Sequence, residues 1–191
     1  MKTLIKHTLL AAVLALPTLA SANDLEAALT SETAQFTLRS DSSIIGWGGA
    51  ELGVGFFYNN NDDYVAQLSL LQRRQASKKT PVTLGVGVKT YLGDIKTPKL
   101  GIFAIAIGGE VRYTIPGVMP MSVYLTGHYA PKITSFSDTD GVIDTNLGFQ
   151  IEVLPQTVAF VGYRNLKVDL KNNNSYDMDD NRVHVGVRLT F

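Results

Sequence analysis

Hydrophobic and polar residues alternate one by one along much of the chain, and the last ten residues show this alternation most clearly. The odd-numbered residues from Val183 to Phe191 are apolar, whereas the even-numbered residues from Arg182 to Thr190 are polar or glycine. A two-residue period is typical of a β-strand with one wet face and one apolar face. The sequence therefore predicts that a half-exposed strand ends the chain.

Seven upstream segments share this strand-like pattern, and the connections between them are alternately short and long. The predicted strands are 48–58, 64–74, 82–92, 100–115, 121–130, 142–154 and 158–169. Tight turns that contain proline occupy 76–81, 116–120 and 154–157, while mostly longer polar loops occupy 59–63, 93–99, 131–141 and 171–181. Short turns at one end and longer loops at the other predict an all-β, antiparallel up-and-down transmembrane β-barrel, with periplasmic turns and extracellular loops.

The number of strands depends on how the N-terminal part is interpreted. The segments above and the final strand give eight strands, and Thr33 to Arg39 would add a ninth. An odd count conflicts with bacterial single-chain barrels, which have even numbers of strands. We therefore predict an eight-stranded barrel over residues 44–191, with 23–43 as an N-terminal rim segment or extra strand, and ten strands as the open alternative. Leu25, Ala28 and Leu29 also fit one turn of amphipathic helix.

The first 22 residues have the features of an export signal. Lys2 and Lys6 precede an apolar run from Leu9 to Leu16, and residues 20–22 give a small-x-small cleavage pattern. The apolar run is far shorter than the roughly 20 residues that a spanning helix needs. We predict that residues 1–22 are a cleaved signal peptide and that the mature protein is exported.

Composition and charge exclude several classes of function. The chain has 17 Lys and Arg against 17 Asp and Glu, and loss of Lys2 and Lys6 with the signal leaves a net charge near −2. A nucleic-acid-binding protein needs a basic face, so that partner is not expected. The absence of cysteine excludes disulfides, zinc-thiolate sites and cysteine nucleophiles.

Charged residues of the predicted strands share the face opposite the large aliphatic residues. A soluble β-sandwich would expose this face to solvent, but the export signal, the terminal Phe191 and tyrosines near strand ends favour lipid outside and a polar interior. Charges in so narrow a lumen must pair, because an isolated buried charge is costly. The sequence therefore predicts a salt-bridged plug, the lumen charge network, formed by Glu51, Lys89, Glu110, Arg112, Asp144, Glu152, Arg164 and Arg188.

One predicted strand changes its phase partway along. Ala159, Val161 and Tyr163 have one parity, whereas the apolar residues from Leu166 to Leu170 have the other. A β-bulge near Arg164 would reconcile the two halves by turning the strand.

No catalytic or metal-binding motif stands out. The mature chain has two histidines, His128 and His184, each expected inside the barrel, and it lacks the Gly-x-Ser-x-Gly motif of many hydrolases. The Asn- and Asp-rich loop 172–181 lacks the central glycine and final glutamate of an EF-hand, so a solvated loop is favoured over a calcium site, as it is for Asn59 to Asp63. We predict no catalytic residues, no metal and no cofactor.

Four segments give the chain a resemblance to a known family. The exported start, the loop from Asn59 to Asp63, the strand from Val161 to Arg164 and the closing strand from Val183 to Phe191 together resemble the YfaZ-type outer-membrane proteins of Gram-negative bacteria. The resemblance implies an outer-membrane barrel but no established activity. It also implies that the barrel-assembly machinery recognises the C-terminal strand, with Phe191 as the assembly signal.

These observations lead to one expected function and two alternatives. We expect a monomer in the outer membrane that contacts lipid and has a structural or surface-interaction role through its polar loops. A narrow channel for small solutes is the first alternative, and a lipid-modifying enzyme is the second.

Overall fold

The computed structural model describes residues 24–45, 48–77, 80–97, 99–171, 174–178 and 182–191. The predicted signal peptide, residues 1–22, lies outside the described residues. Within them the chain is almost entirely β-strand, apart from two short 3₁₀ turns at Ser42–Ile45 and Lys132–Thr134. No helix in this part of the chain is long and apolar enough to cross a membrane.

The described residues form twelve strands, which we number in chain order. They are β1 (Asp24–Leu29), β2 (Thr33–Asp41), β3 (Glu51–Asn59), β4 (Tyr64–Gln75), β5 (Val82–Ile95), β6 (Leu100–Ile115), β7 (Met121–Ala130), β8 (Ser135–Ser137), β9 (Thr139–Leu154), β10 (Thr157–Leu170), β11 (Ser175–Asp177) and β12 (Arg182–Thr190).

Ten of these strands close into a single antiparallel ring. Each strand pairs with the next one in the ring, and β12 pairs with β1, with Asp24 opposite Thr190. The two short strands lie outside the ring: β8 pairs with β6, and β11 pairs with β10. The predicted antiparallel up-and-down barrel is therefore correct, whereas the predicted count of eight strands is wrong and the alternative of ten is right.

The two additional strands both come from the N-terminal segment. Residues Asp24–Leu29 pair with β12 on one side and with β2 on the other, so neither strand is a helical turn or a loose rim segment. A single extra strand would have made the count odd, but β1 and β2 together keep it even. A six-residue strand has too few residues for its alternation to stand out, which explains why β1 was missed.

The outer surface of the barrel is an apolar band. Exposed aliphatic side chains alternate with inward residues on every long strand, as at Val86, Ile107, Leu147 and Val185, which are 71%, 67%, 51% and 58% exposed. In water such a band would be a large exposed hydrophobic patch, whereas in a bilayer it is the surface that contacts the lipid chains.

The interior changes character along the barrel axis. We call the end that carries Asp24 and Thr190 the terminal rim and the opposite end the far rim. The half nearest the far rim is filled by an apolar cluster, here called the apolar plug. Its members are Phe57, Val65, Tyr91, Ile95, Ile102, Ala104, Ala106, Ala130, Val142, Leu166, Val168, Leu170 and Met178.

The apolar plug also explains the change of phase in β10. This strand pairs with β9 without a register shift from Val158 to Asp169, so the predicted bulge near Arg164 is wrong. Leu166, Val168 and Leu170 point inward because the interior itself is apolar at that level, and all three are almost fully buried. The strand keeps its geometry while the environment on its inner face changes.

Candidate functional site: the barrel interior and its far mouth

The half of the interior nearest the terminal rim contains a continuous chain of ion pairs, here called the ionic ladder. It runs through Arg188, Glu26, Arg39, Glu51, Arg73, Glu110 and Arg112, in that order. These residues come from six strands, β12, β1, β2, β3, β4 and β6, so the ladder follows the curved wall of the barrel. Acidic and basic side chains alternate along it.

Each glutamate of the ionic ladder forms ion pairs with two arginines. Glu26 Oε2 lies 2.8 Å from Arg39 Nη1 and from Arg188 Nη2. Glu110 binds Arg73 in a bidentate pair, at 3.0 and 3.1 Å, and also accepts from Arg112 Nε at 2.9 Å. Glu51 contacts both Arg73 and Arg39. Such charge-assisted, shared pairs offset much of the cost of placing carboxylates in a confined lumen.

A second ion pair lies where the polar and apolar halves meet. Lys89 Nζ is 2.7 Å from Asp144 Oδ2, and the buried Tyr91 hydroxyl donates to the same oxygen at 2.6 Å. Arg164, on β10, donates to the side-chain oxygen of Gln35 and lies over the ring of Phe57, with 5.0 Å between the guanidinium carbon and the ring centroid. Lys89, Asp144 and Arg164 are thus each bonded to a polar partner at this boundary.

The structure places seven of the eight residues of the predicted lumen charge network in three positions. Glu51, Glu110, Arg112 and Arg188 belong to the ionic ladder, Lys89 and Asp144 form the boundary pair, and Arg164 lies beside Gln35. Glu152 forms no ion pair with any described residue and lies near the terminal rim, opposite Val158.

Three residues of the ionic ladder were not in the predicted network: Glu26, Arg39 and Arg73. Glu26 and Arg39 belong to the segment that was not counted among the strands, so their inward direction could not be assigned. Arg73 has the same parity as Gln67 in β4, an interior residue, and this parity was a usable signal.

The polar half encloses a cavity of about 120 Å³, here called the inner cavity. Among the described residues, six cationic and three acidic side chains line it: Arg39, Arg73, Lys89, Arg112, Arg164, Arg188, Glu51, Glu110 and Asp144. A second cavity of about 260 Å³, here called the rim cavity, lies at the terminal rim. The two cavities share the lining residues Arg39, Glu51, Leu71 and Arg73. The interior is therefore a cup that opens toward the terminal rim and ends at the apolar plug.

Segments from three parts of the chain meet at the far mouth. The Tyr176 hydroxyl, next to the buried Met178, donates to Asp63 Oδ2 at 2.6 Å. Asn59 Nδ2 donates to Asp63 at 3.0 Å, and the Lys96 backbone N–H donates to Asp63 Oδ1 at 2.8 Å. Asn59 and Asp63, the two ends of this turn, are consequently buried and bonded, whereas residues 60–62 at its tip are exposed. The expectation of a solvated loop is therefore right for the tip and wrong for the ends.

The two histidines lie inside the barrel, as expected. His184 is buried against the ring of Phe160, with 5.9 Å between the ring centroids, and His128 lines the inner cavity. No group of three or more His, Asp or Glu residues in the described ranges could hold a metal ion.

A closed antiparallel barrel with an apolar belt outside and charged groups inside is the architecture of an outer-membrane β-barrel protein. The chain belongs to the YfaZ family, described as YfaZ precursor, whose family model matches residues 4–191. The resemblance found in the sequence is thereby confirmed, and the protein is located in the outer membrane. No curated protein matches this sequence.

The solved structures that are similar to the chain at low identity include two outer-membrane proteins of one species. The outer membrane channel DcaP of Acinetobacter baumannii is 13% identical, with a TM-score of 0.43, and the match covers 87% of this chain and 54% of that one. The chain thus spans about half the length of that channel. The outer membrane protein Omp33 of the same species is 10% identical, with a TM-score of 0.37 and coverage of 90% and 98%.

Proposed function

We propose that this protein is a closed, non-conducting outer-membrane barrel that has a structural or surface-interaction role through its far-rim loops. The observation that carries this proposal is the apolar plug. An ion that crossed the lumen would have to leave water and pass among residues such as Phe57, Val142 and Val168, which are at most 1% exposed. Such a step is costly because a charge in an apolar environment loses its hydration.

The charge pattern of the lumen also supports a closed barrel over a narrow channel. A channel would be expected to have separate acidic and basic walls with water between them. Here each glutamate of the ionic ladder is held between two arginines instead, as Glu110 is between Arg73 and Arg112. We orient the terminal rim toward the periplasm, which exposes the far-rim loops on the cell surface.

Planar-bilayer recording tests the closed state. The purified mature protein, shown to be folded by a shift in SDS mobility on boiling, is added to a planar bilayer in potassium chloride. We expect no steady current above the bare bilayer, with a general porin as the positive control. Reproducible current steps that scale with protein concentration would overturn the proposal and favour a channel for small solutes.

We also propose that the barrel is not an enzyme. His128 and His184, the two histidines of the mature chain, lie inside the wall where acyl chains in the bilayer do not reach them. Incubation of the folded protein with phospholipid and lipid A vesicles should give no turnover. Turnover that disappears in His128→Ala or His184→Ala would contradict this proposal.

A further inference from the structure

We propose that the inner cavity is a binding site for a small oxyanion, phosphate in its simplest form, which enters from the terminal rim. The proposal concerns the polar half of the lumen and does not depend on whether the barrel conducts. Three observations support it: the surplus of positive charge in the cavity, an arginine whose terminal N–H groups make no hydrogen bond to any described residue, and an open path from the terminal rim to that arginine.

The first observation is the charge surplus. Six cationic side chains line the inner cavity, against three carboxylates. Glu26, which binds Arg39 and Arg188, supplies a fourth carboxylate next to the cavity. A surplus of two positive charges remains inside a wall that faces lipid. A cleft lined by one sign of charge within low-dielectric walls focuses its field and attracts counter-ions, so an anion is the expected occupant.

The second observation is the state of Arg112, at one end of the ionic ladder. Its Nε donates to Glu110 at 2.9 Å, and its guanidinium lies over the Tyr124 ring at 5.5 Å. Its two terminal nitrogens make no hydrogen bond to any described residue, and the side chain lines the cavity. Arg188, at the other end, directs both Nε and Nη2 to Glu26. Arg112 therefore has both terminal nitrogens available for a ligand.

The chemistry of these donors selects an oxyanion. A guanidinium presents parallel N–H groups that match two oxygens of a phosphate or carboxylate. Asn146 also lines the cavity, and its buried side-chain oxygen has no hydrogen-bond partner among the described residues. A protonated oxyanion, such as hydrogen phosphate, has an O–H group that can donate a hydrogen bond to the Asn146 oxygen.

The path to the cavity starts at the terminal rim. The rim cavity and the inner cavity share Arg39, Glu51, Leu71 and Arg73, whereas the apolar plug blocks access from the far rim. Asp24 and Asp41 line the rim cavity but not the inner one. The positive surplus thus lies at the bottom of the cup, and a bound anion would be held there.

Isothermal titration of the folded mature protein in detergent with inorganic phosphate, at constant ionic strength, tests the proposal. We expect saturable one-to-one binding, weakened at least ten-fold by Arg112→Gln. Arg188→Gln removes the same charge from an arginine whose donors are committed to Glu26, and we expect a smaller loss. Lys132→Gln, in an exposed ion pair with Asp140, should bind as the wild type does. All four proteins must show the boiling-dependent shift in SDS mobility.

Glycerol phosphate distinguishes the source of the oxyanion. Tighter binding than inorganic phosphate would support the phosphoryl group of a larger molecule, and weaker binding would support the free ion. The absence of saturable phosphate and glycerol phosphate binding to the wild type would overturn the proposal. Equal affinities in wild type and Arg112→Gln would also overturn it, because the binding would then lie elsewhere.

Discussion

The two halves of the barrel interior are closed by opposite kinds of chemistry. Toward the far rim, apolar side chains pack as they do in the core of a soluble protein, with Phe57, Ala104 and Val142 fully buried. Toward the terminal rim, arginines and glutamates fill the lumen but leave cavities between them. The same strands form both halves. The inner face of one barrel thus changes from a hydrophobic core to an ionic lining with cavities within a few residues along each strand.

The largest effect is expected in the apolar plug. Phe57→Ala should lower the free energy of unfolding by about 4 kcal/mol, because it removes a fully buried ring and leaves a cavity. Urea unfolding in lipid vesicles measures this cost. The control is Val54→Ala on the lipid face of the same strand, where lipid fills the space and the loss should be clearly smaller. Equal losses would mean that the far half is not a packed core.

The next effect tests which face of the strands contacts lipid and which faces the lumen. Leu147→Arg and Val185→Arg place a charge near the middle of the apolar band, and each should cost about 2–4 kcal/mol of barrel stability. Leu147→Ile is the matched control and should cost far less. A near-zero cost of the arginine substitutions in the same titration would show that the outward assignment of this face is wrong.

The ionic ladder should be less sensitive than the plug. Glu110→Gln removes the charge that pairs with Arg73 and Arg112, and the expected loss is about 2 kcal/mol because cavity water replaces part of the interaction. Glu152→Gln is the control, since Glu152 has no ion-pair partner among the described residues. A loss for Glu110→Gln no larger than the control would contradict the account of the ladder.

The smallest effect is expected at the closure of the far mouth. Tyr176→Phe deletes the hydroxyl that donates to Asp63 and should cost about 1 kcal/mol. Tyr58→Phe removes a hydroxyl that bonds the exposed Asp62, and it should cost less. If both variants unfold at the wild-type urea concentration, the segment around Tyr176 does not stabilise the mouth.

Much of the barrel could be predicted from the two-residue alternation. Strands β3 to β7, β9, β10 and β12 all overlap segments predicted from this period, and the residues assigned to the lipid face, such as Val86 and Leu147, are exposed. The prediction failed where a strand is short or where the interior is not polar. Strand β1 has only six residues. The inner face of β10 becomes apolar at Leu166, and in the sequence this change has the same pattern as the phase shift of a bulge.

The ion-pair partners of the charged residues were harder to predict than the inward orientation of their side chains. Strand parity indicates that Glu110 and Arg112 point inward, but the partner of each depends on the register between strands. Arg73, for example, reaches Glu110 across β5, where the intervening inward residue is Gly85. Without the strands β1 and β2, the sequence could not reveal that Glu26 and Arg39 complete the ladder.

Water access to the two halves is the most direct test of the central claim. The chain has no cysteine, so single-cysteine variants can be labelled cleanly. Ser69→Cys places a thiol at the inner cavity, and Val142→Cys places one of similar size to the original side chain in the apolar plug. In the folded barrel, a small polar thiol reagent should label Ser69→Cys rapidly and Val142→Cys only after unfolding. Equal labelling rates at the two positions would contradict the division of the lumen into a hydrated cup and a dry plug.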